Sequence, residues 1–269
     1  MSKKISFALQ LAFTLAVCAF LIVPVVLSIL AGLTNNYFVG LESGLTLRWV
    51  AEVWDGYRDT IFRSLGIALS CLLGTLLLGV PAAYALARSQ NRIARLFEEL
   101  IMLPVAVPGL ATALALISTY GAAGSFRTSW TFILVGHILF TLPFMVRAVL
   151  AVLSAIDLKT LEEGAASLGA GFRQRFWHIV LPNCRNGILA GSLMVITLSV
   201  GEFNMTWLLH TPLTKTLPVG LADAYASLRL EIGSAYTLLF FLMIMPLLLA
   251  MQWLAKPRPT RFIPDEPQP

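Results

Sequence analysis

Charge is what this sequence has least of. Only 12% of its 269 residues are Asp, Glu, Lys or Arg, against about 25% in an ordinary soluble domain. Hydrophobic residues make up 58%, and mean hydropathy is +0.81. Too little polar surface remains to cover a globule in water, so the composition is that of a membrane protein. Cysteine is scarce as well. Cys18 and Cys71 lie in apolar runs and Cys184 follows Pro182; an odd, scattered set supports neither a disulfide framework nor a zinc site, and the three read as small packing residues. The three histidines, His137, His178 and His210, are far apart without metal spacing, and there is no Walker A glycine loop and no GxSxG. Those absences argue against nucleotide hydrolysis, serine hydrolase chemistry and a bound metal in this chain. The net charge of +5 would suit nucleic acid only as a dense basic patch with interleaved aromatics. The Lys and Arg residues instead fill gaps between apolar runs, a pattern of membrane topology, and no nucleic-acid partner is expected.

Six apolar runs are each near the ~20 residues a bilayer crossing needs. Lys3 and Lys4 precede the first, Ile5 to about Leu33, about twice as long as the apolar part of a signal peptide and so read as an uncleaved helix. A mixed interval from Asn35 to Thr60 follows, in which Leu47, Val50, Ala51 and Trp54 predict one side of a short interfacial helix. Further spans are expected at Ile61–Ala87 (with Pro81), Leu96–Tyr120 (with Pro104 and Pro108), Trp130–Leu153, Asn186–Leu209 and Gly233–Ala255. Residues 1–255 thus form one six-span all-α transmembrane domain, and the Pro-rich tail at 256–269 reads as disordered. Six crossings put both termini on one side. That side, with the two even-numbered loops, holds thirteen of the 19 Lys and Arg residues; by the positive-inside rule it is cytoplasmic.

The longest polar interval, Asp157 to Pro182, is patterned beyond the needs of a connector. Asp157 suits a helix N-cap, and Glu162 and Glu163 follow early in that helix, where negative charge favours the macrodipole. Leu158, Leu161, Ala165 and Leu168 recur at helical spacing as an apolar stripe. Gly164-Ala165-Ala166 keeps one face small, and Gly169 and Gly171 can end the helix with left-handed angles. A basic amphipathic piece, Phe172 to Val180, leads to Pro182. The interval reads as a short docking helix held out of the membrane.

Glu202, in Ser199-Val200-Gly201-Glu202-Phe203-Asn204-Met205-Thr206-Trp207, is a carboxylate inside the fifth run, where an ionisable group is costly unless paired or facing a cavity. Ser199, Glu202 and Thr206 share a helix face and could line a solute path; Asn204 lies well round from it. The same residues could equally form an interhelical hydrogen-bond lock. His137, inside the fourth run, reads as a helix-packing residue. Thr216-Leu217-Pro218-Val219 and Tyr225–Arg229 belong to a loop that gates the path, meets an outside partner or simply connects.

At the polar interval, Glu163-Gly164-Ala165, Gly169 and Ile179-Val180-Leu181-Pro182 resemble the Glu-Ala-Ala, Gly, Ile-x-Leu-Pro motif of permease subunits of binding-protein-dependent ABC importers. The spacing matches; Gly164 departs from the usual alanine, loosening the helix by about 1 kcal/mol. The resemblance covers most of the chain and implies a type I importer permease in a bacterial inner membrane. It implies that Glu162, Glu163, Gly164, Ala165, Ala166, Leu168, Gly169, Ile179, Leu181 and Pro182 couple to a cytoplasmic ATPase dimer, which binds the ATP and Mg that this chain does not. It also implies a second permease subunit, a heterodimer being favoured, and an extracytoplasmic solute-binding protein. Gly201-Glu202-Phe203, Thr206-Trp207 and Thr216–Val219 resemble the spermidine/putrescine branch, which implies polyamine transport with Ser199, Glu202, Asn204, Thr206 and Trp207 along the path. Phosphonate, iron, sulfate and molybdate importers are similar. The competing classes are an ATPase-independent transporter using Glu202 or His137, and a non-transporting scaffold; both leave the motif unexplained.

Overall fold

One helix of 41 residues runs through every part of the hydrophobic core. In the computed structural model, which describes residues 3–89 and 91–254, the chain begins with α1 (Lys3–Ala31) and a 3-10 turn at Gly40–Ser43. Next comes the long helix α2 (Arg48–Arg88). The expected interfacial helix is thus the first third of α2. Its buried side is also rotated from the expected one: Val53 is fully buried with Trp49, Val50 and Tyr57 against it, while Leu47 and Trp54 are exposed. The reason is tertiary, since Val53 and Ile61 pack on the last helix of the chain rather than on a lipid surface.

The third run is not one helix. It forms α3 (Arg92–Ala106) and α4 (Gly109–Tyr120), bent by 102° at the break. Pro108 has no N–H and disfavours helical angles in Val107, which is extended there. A short α5 (Gly124–Thr128) leads to α6 (Trp130–Ser154), then α7 (Leu158–Ser167). The single-turn α8 (Phe172–Arg175) widens through a π-turn at Phe176–Val180 into α9 (Leu181–Val200). The fifth run therefore breaks at Gly201–Phe203, and α10 (Asn204–Leu209) is a separate short helix. The chain closes with α11 (Leu217–Ala226) and α12 (Leu230–Leu254). Among the described residues five helices are long and apolar enough to cross a membrane, six spans if the bent α3–α4 pair counts as one. The tail at 256–269 lies outside the described residues.

Four clusters of buried side chains make the core, and α2 contributes to each: Tyr84 with α6, α7 and α9; Ile61 with α11 and α12; Ile67 with α4, α6 and α10; Ala68 with α9 and α12. Helices α6 and α9 meet closely because α9 presents Gly187 and Gly191 four residues apart. A Cβ at Gly187 would lie 2.6 Å from the Ala148 carbonyl oxygen, and one at Gly191 would lie 2.8 Å from the Met145 sulfur. Without a side chain the two backbones can come together, which is how membrane helices gain contact where lipid offers no hydrophobic drive. Of the free cysteines Cys71 and Cys184 are buried as expected, but Cys18 is exposed on α1.

Candidate functional site

The polar interval folds as a capped helix at one end of the bundle, with Leu158 and Glu162 buried against it. The Asp157 carboxylate accepts from the Thr160 amide at 3.2 Å and from its hydroxyl at 2.6 Å. These bonds hold its pKa below the usual carboxylate range. At the other end Gly169 has φ of +84°. The Ala170 and Gly169 amides donate to the Ala165 and Ala166 carbonyls at 3.0 and 2.9 Å, closing the helix as a Schellman motif. Gly171, expected to help stop the helix, instead takes an extended conformation and begins α8, its amide donating to the Gln174 side chain.

The stripe is not the expected one. Leu158, Glu162 and Ala165 face the protein, with Glu162 only 2% exposed, whereas Leu161 is 44% and Leu168 89% exposed. A buried apolar site draws in Leu158, and Glu162 follows it one turn on because two donors wait there. Its carboxylate accepts from the Tyr84 hydroxyl at 2.6 Å and pairs with Arg88 Nε at 3.1 Å. Glu163, Gly164, Ala166 and Gly169 remain on the outer surface with the two exposed leucines. Beside them lies a groove of about 480 Å³ lined by Ala165, Leu168, Gly169, Gln174, His178 and Ile179. Leu181 is half-buried and Pro182 exposed at the start of α9. Three residues of the spaced motif, Ala165, Gly169 and Ile179, thus meet at one open groove, beside an exposed leucine on its rim.

A second polar site lies inside the bundle. Because α9 ends at Val200, Ser199, Glu202 and Thr206 do not share one helix face as the spacing predicts. They converge across the break instead. Glu202 Oε1 accepts from the Met205 amide and Oε2 from the Thr206 amide, both at 2.8 Å, and Oε2 also accepts from the Thr206 hydroxyl at 2.7 Å. The carboxylate is therefore the cap of α10, where negative charge meets unpaired amides. On α6 His137, 1% exposed, holds the Ser199 hydroxyl at 2.8 Å through Nδ1 and the Thr206 hydroxyl at 2.9 Å through Nε2. Glu202 Oε2 lies 3.8 Å from the same Nε2. The geometry is that of an interhelical lock. Asn204 and Trp207 are not brought in; they are exposed on the other side of α10, Trp207 tilted against Phe203 and His210. His137, read from sequence as a packing residue, is the hub of the cluster. The signal that could have found it is that His137 sits in the apolar interior of α6, as Glu202 does in the fifth run. No group of three or more His, Cys, Asp and Glu suited to a metal occurs among the described residues.

Comparison with known proteins places the fold. The family described as binding-protein-dependent transport system inner membrane component matches residues 75–257, and this chain belongs to it. It is therefore a multi-pass permease subunit of the inner membrane. The sulfate transport system permease protein CysW of Synechocystis is 32% identical over 57% of this chain and 60% of its own length. The molybdenum permease ModB of Haemophilus influenzae is 30% identical over 74% of this chain and 93% of its own. The putative 2-aminoethylphosphonate permease PhnV of Salmonella typhimurium is 26% identical over 88% and 90%. Among solved structures, a bacterial ABC transporter that imports alginate superposes with a TM-score of 0.69 over 93% of this chain and 94% of that one. The MetNI methionine transporter superposes with 0.57 over 73% and 91%. Both are 16% identical and speak for the fold alone.

Proposed function

We propose that this chain is one half of the transmembrane pair of an ABC importer, with α7 and its groove on the cytoplasmic side as the docking element for an ATPase subunit. ATP and Mg then belong to that partner. The observation that carries the reading is the doubly capped α7, which turns Leu161 and Leu168 outward beside a groove that three of the matched motif residues, Ala165, Gly169 and Ile179, help to line. The excess of Lys and Arg at the same end supports a cytoplasmic placement and cytoplasmic termini. A second permease, a different gene product, completes the path, and an extracytoplasmic binding protein delivers the solute. The alginate transporter has been captured with such a periplasmic protein.

For the solute, the alternative raised above has better support than polyamine. The polyamine reading leans on Glu202 as a carboxylate offered to a cation, and Glu202 spends both oxygens on α10 and Thr206. The relatives are named for sulfate, molybdenum and 2-aminoethylphosphonate. We therefore assign a small oxyanion as the solute class. Calorimetric titration of the cognate binding protein with sulfate, molybdate, 2-aminoethylphosphonate and spermidine is expected to show binding of one of the three anions only. Tight spermidine binding would reinstate the polyamine reading.

The docking assignment has its own test. Glu163→Lys reverses an exposed charge on the docking face, and Gly169→Asp puts a side chain at a left-handed position that costs about 1–2 kcal/mol per non-glycine residue. Both variants are expected to insert normally yet lose at least tenfold in co-purification with the ATPase. Unchanged association in both would defeat the assignment.

A further inference from the structure

The resemblance groups Glu162 with residues that touch the ATPase, but its side chain turns away from the exposed face of α7. Its carboxylate is 3% exposed and faces α2, not the groove. It meets two groups that α2 presents one helical turn apart, Tyr84 and Arg88. The three are mutually connected, since Arg88 Nη1 also donates to the Tyr84 hydroxyl at 3.3 Å and the guanidinium carbon sits 5.6 Å from the Tyr84 ring centre. Tyr84 is in turn enclosed by Phe172 and Phe176, with ring centres at 6.2 and 5.6 Å. Below it Leu158 and Val180 share a core with Leu150 and Leu153 of α6. So α7 is fixed to α2 by a directional, charged cluster at one point and by apolar contact around it. Elsewhere α7 is open. Charge-assisted bonds with a buried carboxylate are strong and specific in direction, and they resist sliding in a way that apolar contact does not.

We propose that Tyr84, Arg88 and Glu162 form a rigid joint that makes α7 move as one body with α2, so that displacement of the docked helix is delivered to the longest helix of the bundle. The proposal rests on the ATPase-docking reading and gives these three residues a positioning role within it. It assigns the adjacent glutamates opposite tasks. Glu163 faces outward to the partner, and Glu162 faces inward to the joint.

The test measures whether the two helices keep their spacing. Only Cys18 of the three cysteines is exposed, so Cys18→Ser gives a background for spin labels at Ala85→Cys on α2 and Lys159→Cys on α7. Distances are read by pulsed electron resonance on the full permease, first without the ATPase and then in the assembled transporter trapped with ATP and vanadate. In the otherwise unaltered chain a single narrow distance is expected, shifting by less than about 2 Å on trapping because bonded helices have no room to slide. Glu162→Gln and Tyr84→Phe are expected to broaden the distribution at least twofold, with a new distance on trapping, while the ATPase still co-purifies. Glu162→Asp, which keeps the charge, is expected to restore part of the narrow peak. Narrow, unshifted peaks in Glu162→Gln and Tyr84→Phe would overturn the joint, as would a large shift in the unaltered chain. Loss of ATPase association in Glu162→Gln with a peak that stays narrow would return Glu162 to the docking face. If the unaltered chain does not bind an ATPase, the docking reading fails, and the measurement without ATPase still decides whether the joint exists.

Discussion

Glu202→Ala is expected to cost the isolated permease on the order of 3–5 kcal/mol of stability, because it removes one carboxylate from several buried donors at once. The carboxylate accepts from two α10 amides and the Thr206 hydroxyl. Alanine would leave those amides without an acceptor at a helix start, at about 1–3 kcal/mol for each buried group left unpaired. It would also remove the negative charge beside His137 Nε2. For a chain of this size about 1 kcal/mol moves the thermal midpoint by roughly 2–4 °C, so a fall of about 10 °C is expected in detergent. Glu202→Gln keeps one acceptor but turns an amide donor toward another donor, and should fall between. Trp207→Ala, at an exposed position, should move the midpoint little. A solute-path role makes the reverse prediction. There, Glu202→Ala would leave the midpoint intact and abolish transport, and that result would refute the lock.

Gly187→Leu should leave almost no folded protein. The nearest atoms to a new Cβ are backbone, the Ala148 carbonyl oxygen at 2.6 Å and Val149 Cα at 3.0 Å, and backbone in the middle of α6 cannot turn aside as a side chain can. Overpacking costs about 1–3 kcal/mol even where side chains can give; at this position α6 and α9 must separate. The separation would unmake the core that Met145, Val149, Cys184 and Val195 share. Size-exclusion profiles of a fluorescent fusion are expected to show aggregate in place of the monodisperse peak, with Gly187→Ala milder. A normal peak for Gly187→Leu would mean that the α6–α9 approach is not as described.

Long apolar runs announced most of the helices, because periodicity and length are local properties of the chain. The N-cap at Asp157 and the left-handed Gly169 were equally legible, each being settled by a few neighbouring residues. What sequence could not supply was direction. Leu161 and Leu168 fit an inward stripe by spacing alone, and they point outward because Tyr84 and Arg88, some 75 positions earlier, claim Glu162 for the inner face. Glu202 was recognised as costly inside a membrane, but its acceptors' partners depend on a break at Gly201 that hydropathy passes over. The fusion of the interfacial segment into α2 was hidden for a different reason, since Gly56 and the charges around it read as a break between the two, and only the packing of Val53 against α12 shows that the helix is continuous. The Gly187–Gly191 pair, small residues four apart in an apolar helix, carries a local mark of close packing that reading the run by hydropathy passed over.

The length of α2 has a mechanical consequence. At 1.5 Å per residue its 41 residues span about 60 Å, roughly twice the ~30 Å hydrocarbon thickness of a bilayer. A rod that long, pivoting near its middle, works as a lever with arms of about 30 Å, so a tilt of 10° swings each tip by about 5 Å. Its inner tip is held at Arg88, and its other arm carries Val53 and Ile61 against α11 and α12. Under the proposed docking, a small stroke applied at Arg88 enters the rod seven residues beyond Pro81 and, with the helix unbent there, reappears at the other tip as a displacement of atomic-contact size.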